Sequence, residues 1–168
     1  IALYARELPP CGGDTLFASL AAAYVGLDAE EQRALNGLVA EHRYTETQNS
    51  RRRYRQDEIA ERTRSISVEH PLVAAHPDTG EGYLFVNTPV YCRQIVGQSD
   101  GGALLRKLYR HVQRPEFQFR LQWEPGTVVI WENAHCLHYP VSDYFPHARL
   151  LWRAVVPGSH RPTAFEPE

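Results

Sequence analysis

Residues 126–157 read GTVVIWENAHCLHYPVSDYFPHARLLWRAVVP, two strand-like runs joined by a polar connection. The first run, Thr127 to Trp131, is apolar and β-branched, and the turn pair Pro125-Gly126 launches it. The second, Ala148 to Val156, alternates with the two-residue period of a strand. Leu150, Trp152, Ala154 and Val156 share one face, and Arg149, Leu151, Arg153 and Val155 share the other. The two arginines stand roughly 13 Å apart along such a strand. Strand arginines are commonly solvated on an outer face. If this face points inward instead, each guanidinium needs an anion, because it cannot lose its charge. His138 lies between the two runs, at a predicted strand edge from which an imidazole reaches a metal or a substrate.

Working outward, the 168 residues fit a single domain, residues 1–168, long enough to bury a core. A hydrophobic content of 43% and a charged content of 23% are those of a soluble globular protein. The net charge of −2 argues against a nucleic-acid partner, which calls for a basic surface. No apolar run reaches membrane-spanning length, and no signal-peptide pattern opens the chain. Cys11, Cys92 and Cys136 are odd in number and lack C-x-x-C spacing, which fits the reducing cytoplasm. The chain contains no methionine and begins inside an apolar run, IALYAREL, so it reads as a fragment.

In chain order, Ile1 to Arg6 reads as a strand closed by Pro9-Pro10. The Gly-rich turn at Cys11 to Thr15 is expected to open a helix, with Asp14 or Thr15 as N-cap and Leu16, Leu20, Ala23 and Leu27 as its apolar stripe. A second helix is expected from Asp28 to about His42, with Glu30 and Glu31 in its first turn. Residues 43–65 are polar and arginine-rich. They read as a mobile surface loop serving as a lid, since Asp57, Glu58 and Glu61 dilute the basic run.

Ser67 to Ala75 and Gly82 to Asn87 read as strands flanking a turn at His76 to Gly80. Ser99 to Arg114 has a helical stripe of Leu104, Leu105, Leu108 and Val112. Phe117 to Trp123 alternates, with Phe117, Phe119, Leu121 and Trp123 on one face, and the tail after Gly158 reads as irregular. Short strands with a few helices predict a mainly β fold, a sandwich or jelly roll flanked by helices, whose mouth offers a place for a metal.

Three blocks carry a resemblance: GGDTLFASLAAAY, EHPLVAAHPDTGEGYLFVN, and the long run from Arg114 to Ala154. Together they resemble the taurine dioxygenase (TauD/TfdA) family of iron(II)- and 2-oxoglutarate-dependent oxygenases, nearly end to end. The resemblance implies a double-stranded β-helix (a cupin-like jelly roll), incomplete at its N-terminus. It implies iron held by an H-x-D pair and a distal histidine. The family's W-D-N-R-x-x-x-H block falls on Trp131, Glu132, Asn133, Ala134 and His138, which makes His138 the metal ligand.

Arg149, eleven residues on, then takes the distal carboxylate of 2-oxoglutarate with help from Thr15. Arg153 sits at the cosubstrate's other end or on an anionic group of the substrate. Val90, in the turn from Thr88 to Tyr91, is implied as a substrate contact. Glu132 and Ala134 depart from the family's aspartate and arginine, and His135 is an alternative metal ligand.

The H-x-D pair is the missing part. His76-Pro77-Asp78 is the one such triplet in the chain, but its surroundings match the family's H-P-x-T-G turn. The family's own pair precedes the G-G-D-T block and would fall before Ile1, so the chain alone is expected to bind iron poorly. The implied reaction is hydroxylation of a small, anionic organic substrate (a sulfonate, sulfate ester or carboxylate). It uses Fe(II), O₂ and 2-oxoglutarate and releases succinate and CO₂. A homo-oligomer is compatible with the sequence. One alternative is a metal-free jelly-roll module that binds an anion at Arg149 and Arg153 without turnover. Another is a metal-dependent jelly-roll enzyme that does not use 2-oxoglutarate, for which Arg149 would be dispensable.

Overall fold

The computed structural model describes residues 1–44, 66–158 and 160–167. The two runs that open the sequence reading become strands β9 (Val128–Ile130) and β11 (Leu150–Ala154), and they flank β1 (Ala2–Glu7) in one antiparallel sheet. Its register pairs Leu3 with Val129 on one side and with Arg153 on the other, so the first strand is locked between two strands from the far end. A second antiparallel sheet has the order β10 (Cys136–Pro140), β2 (Thr15–Ser19), β8 (Gln118–Leu121). These pairings join residues a hundred or more positions apart, as a jelly roll requires.

Two further three-stranded sheets complete the strands. One runs β12 (Thr163–Ala164), β5 (Val73–Ala75), β6 (Gly82–Leu84), and the other β4 (Ile66–Pro71), β3 (Val39–Tyr44), β7 (Cys92–Ile95). Of the helices, α1 (Leu20–Val25) packs on β6, α2 (Ala29–Leu35) adds Leu35 to the core, and α3 (Gly101–Val112) packs on β7. The apolar stripe of α3 is buried as its spacing predicts, through Leu105, Leu108 and Val112. It meets Leu20, Ala23 and Tyr24 of α1, Leu72 to Ala74, and Tyr83, Leu84 and Val86, so the core lies among helices and small sheets. The outer face of the first sheet is apolar and exposed, through Tyr4, Val128, Ile130, Leu150 and Trp152.

Several expected elements differ from those observed. Thr15 to Ser19 is a strand rather than the start of a helix, and Ser19, not Asp14 or Thr15, caps α1 by accepting from the Ala22 N–H. The stripe at Leu16, Leu20, Ala23 and Leu27 fits helical spacing, but ladders to β8 and β10 on both sides override it. The second helix starts as expected, on an Asp28/Glu31 capping box. It stops at Leu35 instead of His42, because Gly37 adopts φ +75° and the chain then leaves as β3.

The polar connection around His138 is itself a strand, β10. The run from Ser67 to Ala75 divides at Leu72 into β4 and β5, which belong to different sheets. Val73 and Ala74 of β5 are buried, and Ala74 and Ala75 pair with the short β12, within the tail expected to be irregular. Strand β7 went unpredicted. Of the proposed lid at 43–65, Arg43 and Tyr44 end β3, and the rest lies outside the described residues.

Candidate functional site

The Gly-rich turn before β2 supplies the first half of the site. Gly12 and Gly13 adopt φ +74° and +73°, a region that side chains disfavour. A Cβ on Gly13 would stand 2.9 Å from Arg149 Cδ, so only glycine lets the arginine approach this backbone. Arg149 Nε donates to the Gly13 carbonyl at 2.7 Å, and the Gly13 N–H donates to Asp143 Oδ1 at 2.7 Å. Asp14, buried, accepts from Arg120 Nε at 2.6 Å. Thr15 follows, 2% exposed, and its Oγ1 accepts from Trp123 Nε1 at 3.0 Å and from Arg149 Nη2 at 3.3 Å. The Arg149 guanidinium lies 5.9 Å from the Trp123 ring centre and 5.8 Å from that of Tyr144.

Arg149, Leu151 and Arg153 point to the same side of β11, inward, onto a cavity of about 340 Å³ shared with Leu3, Thr15, His138 and Pro140. The condition attached to the arginine face therefore applies. Burial lowers the pKa of Arg149 from its usual value, opposed by Tyr144 and Asp14, but a guanidinium stays charged. The arginine and lysine ion pairs among the described residues use Arg43, Lys107, Arg114 and Arg120, with Arg149 and Arg153 outside them. Neither inward arginine has a carboxylate partner among the described residues, and Arg149 instead donates to Gly13 and Thr15.

His138 enters the cavity from β10, where it pairs with Phe17 of β2. Its ring packs 5.0 Å from that of Trp131 and 6.4 Å from that of Phe17. Although the residue as a whole is exposed, desolvation of its ring, and then the nearby positive charge of Arg153, hold its pKa below the usual histidine value, which favours the neutral imidazole. The single imidazole fits one position of a facial triad, and the remaining two donors are not among the described residues.

The one cluster of three potential metal-ligating side chains among the described residues lies elsewhere, at His76, Glu132 and His135. Its hydrogen bonds run within the cluster. His76 Nδ1 accepts the backbone N–H groups of Asp78 and Thr79 at 3.1 and 3.2 Å, so Nε2 carries the ring proton and donates it to Glu132 Oε2 at 2.9 Å. His135 Nδ1 donates to the same oxygen at 2.7 Å. These two hydrogen bonds hold the Glu132 carboxyl below its usual pKa, and the two imidazoles stack with centres 4.2 Å apart. Glu132 therefore ties the H-P-x-T-G turn to the loop before β10. His135, the alternative ligand, is engaged there through Nδ1, and its Nε2 is buried with no hydrogen-bond partner among the described residues.

Residues 1–155 match the family described as Taurine catabolism dioxygenase TauD, TfdA family. The chain belongs to the TauD, TfdA family. An alkylsulfatase of Acinetobacter baylyi (strain ATCC 33305 / BD413 / ADP1) is 34% identical over 159 residues, 90% of this chain and 50% of that protein. An alpha-ketoglutarate-dependent 2,4-dichlorophenoxyacetate dioxygenase of Burkholderia sp. (strain RASC) is 35% identical over 140 residues, 81% of this chain and 46% of that protein. Among solved structures, AAD-2 in complex with Mn(II) and N-oxalylglycine superposes with a TM-score of 0.81 at 30% identity, over 96% of this chain and 64% of that one. The chain spans about half the length of the curated relatives it matches. The fold is the family's β-rich jelly roll.

Set against that family, the structure brings together four residues singled out from sequence: Thr15, His138, Arg149 and Arg153 all line one cavity. Val90 is not on it. Its carbonyl accepts from Arg93 Nε in the loop before β7, while its neighbours Asn87 and Thr88 line a second cavity behind β2. Sequence reasoning missed Trp123, Tyr144, Asp14 and Asp143, which shape the site around Arg149. The alternation of Phe117 to Trp123 carried a signal for Trp123 but gave it no partner. No described helix is long and apolar enough to cross a membrane.

Proposed function

We propose that the protein carrying this chain is a 2-oxoglutarate-dependent dioxygenase using Fe(II) and acting on a small organic anion. One observation carries the reading: the buried Thr15 hydroxyl and the half-buried Arg149 guanidinium, hydrogen-bonded to each other, line the cavity that His138 enters. The reaction converts a substrate C–H bond, O₂ and 2-oxoglutarate into the hydroxylated substrate, succinate and CO₂. Iron would supply the activation of O₂ when bound, with His138 as one donor. This chain's own contribution is binding and orientation. Arg149 and Thr15 hold the distal carboxylate of the cosubstrate in a half-buried place where charge-assisted hydrogen bonds are strong.

Arg153, exposed and lining the same cavity, would take the anionic group of the substrate. The relatives point the same way, since an alkyl sulfate and a phenoxyacetate are both small organic anions. Hydroxylation next to a heteroatom would release sulfate or sulfite from esters and sulfonates, and a phenol from aryl ethers.

The test is succinate formation and O₂ uptake with an alkyl sulfate, an alkanesulfonate and an aryloxyacetate. Substrate-stimulated succinate release that disappears in His138→Ala supports the reading. Tight binding of 2-oxoglutarate without succinate under any condition would instead favour the metal-free anion-binding module.

A further inference from the structure

The hydroxyl of Thr15 is the most constrained group in the cavity. A threonine hydroxyl has one proton to give and two lone pairs to receive with. Both lone pairs are taken: by the indole N–H of Trp123, a group that can only donate, at 3.0 Å, and by Arg149 Nη2 at 3.3 Å. At 2% exposure, bulk water does not compete for the oxygen. Among the described residues Thr15 Oγ1 serves only as an acceptor, so its own proton has no protein partner there and is left for whatever occupies the cavity.

Trp123 touches both members of the cradle, since its ring also stands beside the Arg149 guanidinium, 5.9 Å away. It reaches them from the loop between β8 and β9, over a hundred residues along the chain from Thr15.

We propose that Trp123 is a positioning residue that makes Thr15 an obligate hydrogen-bond donor, so that this end of the cavity selects a ligand presenting an unprotonated acceptor oxygen. The inference rests on the 2-oxoglutarate reading of the cavity and deepens it. Without the indole N–H, one lone pair of Thr15 is released and the hydroxyl is free to rotate. Part of the bound population then turns its proton away from the carboxylate. Phenylalanine at 123 keeps an aromatic face for Arg149 and removes only the N–H, which makes it the informative substitution.

The experiment is a double-substitution cycle on 2-oxoglutarate affinity, measured by anaerobic calorimetry with Mn(II) present, using the whole protein and the variants Trp123→Phe, Thr15→Val and both together. Trp123→Phe is expected to weaken 2-oxoglutarate about fivefold to tenfold, the loss of one well-made hydrogen bond. In the Thr15→Val background the same change is expected to have no further effect, because there is no hydroxyl left to orient. An equal weakening in both backgrounds would show that Trp123 acts through packing alone and would overturn the proposal, as would an unchanged affinity in the single variant. Should Trp123→Phe fold poorly, Trp123→His, which can keep a ring N–H, is expected to restore part of the affinity only when Thr15 is present, and restoration without Thr15 would overturn the proposal. Failure of the unsubstituted protein to bind 2-oxoglutarate at all would overturn the reading of the cavity itself, and this inference with it.

Discussion

The cradle at Thr15 and the clasp at Glu132 are both assembled from residues far apart in sequence, yet their hydrogen bonds run in opposite senses. At Glu132 one exposed carboxylate receives protons from two imidazoles, and His76 is held in its tautomer by two backbone N–H groups. The donors there point at a protein acceptor. At Thr15 and Arg149 the donors outnumber the protein acceptors, and the two inward arginines stand outside every ion pair among the described residues. At Glu132 the hydrogen bonds close within the cluster, leaving His135 Nε2 alone without a partner, whereas at Thr15 and Arg149 the surplus donors face a cavity, the arrangement on which the anion-site proposal rests. Counting titratable neighbours alone would have chosen the first; following the protons chooses the second.

The contrast breaks most visibly at Arg149. Replacing it with alanine is expected to weaken 2-oxoglutarate by about 100-fold or more, the scale of a lost charge-assisted pair in a desolvated place. Glu132→Ala is expected to leave that affinity within about twofold, because the clasp faces no ligand. The Michaelis constant for 2-oxoglutarate in the two variants checks both, and equal losses would mean that the clusters act as one.

Acid stability sharpens the comparison. His42, half-buried beside His70 and Phe85, has its pKa lowered to about 4 by desolvation first and by His70 second. At neutral pH its ring is uncharged in both folded and unfolded chains. As pH falls from the ordinary histidine value towards 4, the unfolded chain takes the proton first, so stability is lost across that window. After allowance for the solvent that reaches the ring, the loss is on the order of 1–2 kcal/mol. His42→Phe is expected to flatten this part of the profile, as measured by urea midpoints at neutral and mildly acid pH.

Glu132 has the opposite sign of group and a smaller effect. Its pKa is depressed by His76 and then His135, so its contribution is present above the ordinary carboxylate range and is lost as pH falls through its own lowered value. Glu132→Gln is expected to lower the thermal midpoint slightly at neutral pH, by the equivalent of about 1 kcal/mol or less. The difference from the unsubstituted protein should shrink under strong acid, and a difference that grows instead would reverse the assignment.

How much of this could be read from the sequence depends on the range of the interaction. The period-two alternation of Ala148 to Val156 placed Arg149 and Arg153 on one face, and the structure turns that face inward. The stripe of α3 and the start of α2 were legible because caps and apolar spacing are local. Thr15 to Ser19 was misread as helix because the decision lies with β8 and β10, which approach from the far end of the chain. The family's block spacing singled out Thr15 and His138, which line one cavity, without showing that Trp123 lies against Thr15 or that Asp143 holds Gly13. The three-donor cluster shows the same limit: His135 could be seen as a spare ligand in the sequence, but the backbone groups that fix the proton on His76 could not.

A crystal structure of the protein with 2-oxoglutarate bound tests the central claim most directly. The wiring of the cradle predicts one carboxylate within hydrogen-bonding distance of both Thr15 Oγ1 and the Arg149 guanidinium, with Trp123 still donating to Thr15. A dicarboxylate bound elsewhere, with Arg149 turned to a protein carboxylate instead, would contradict it.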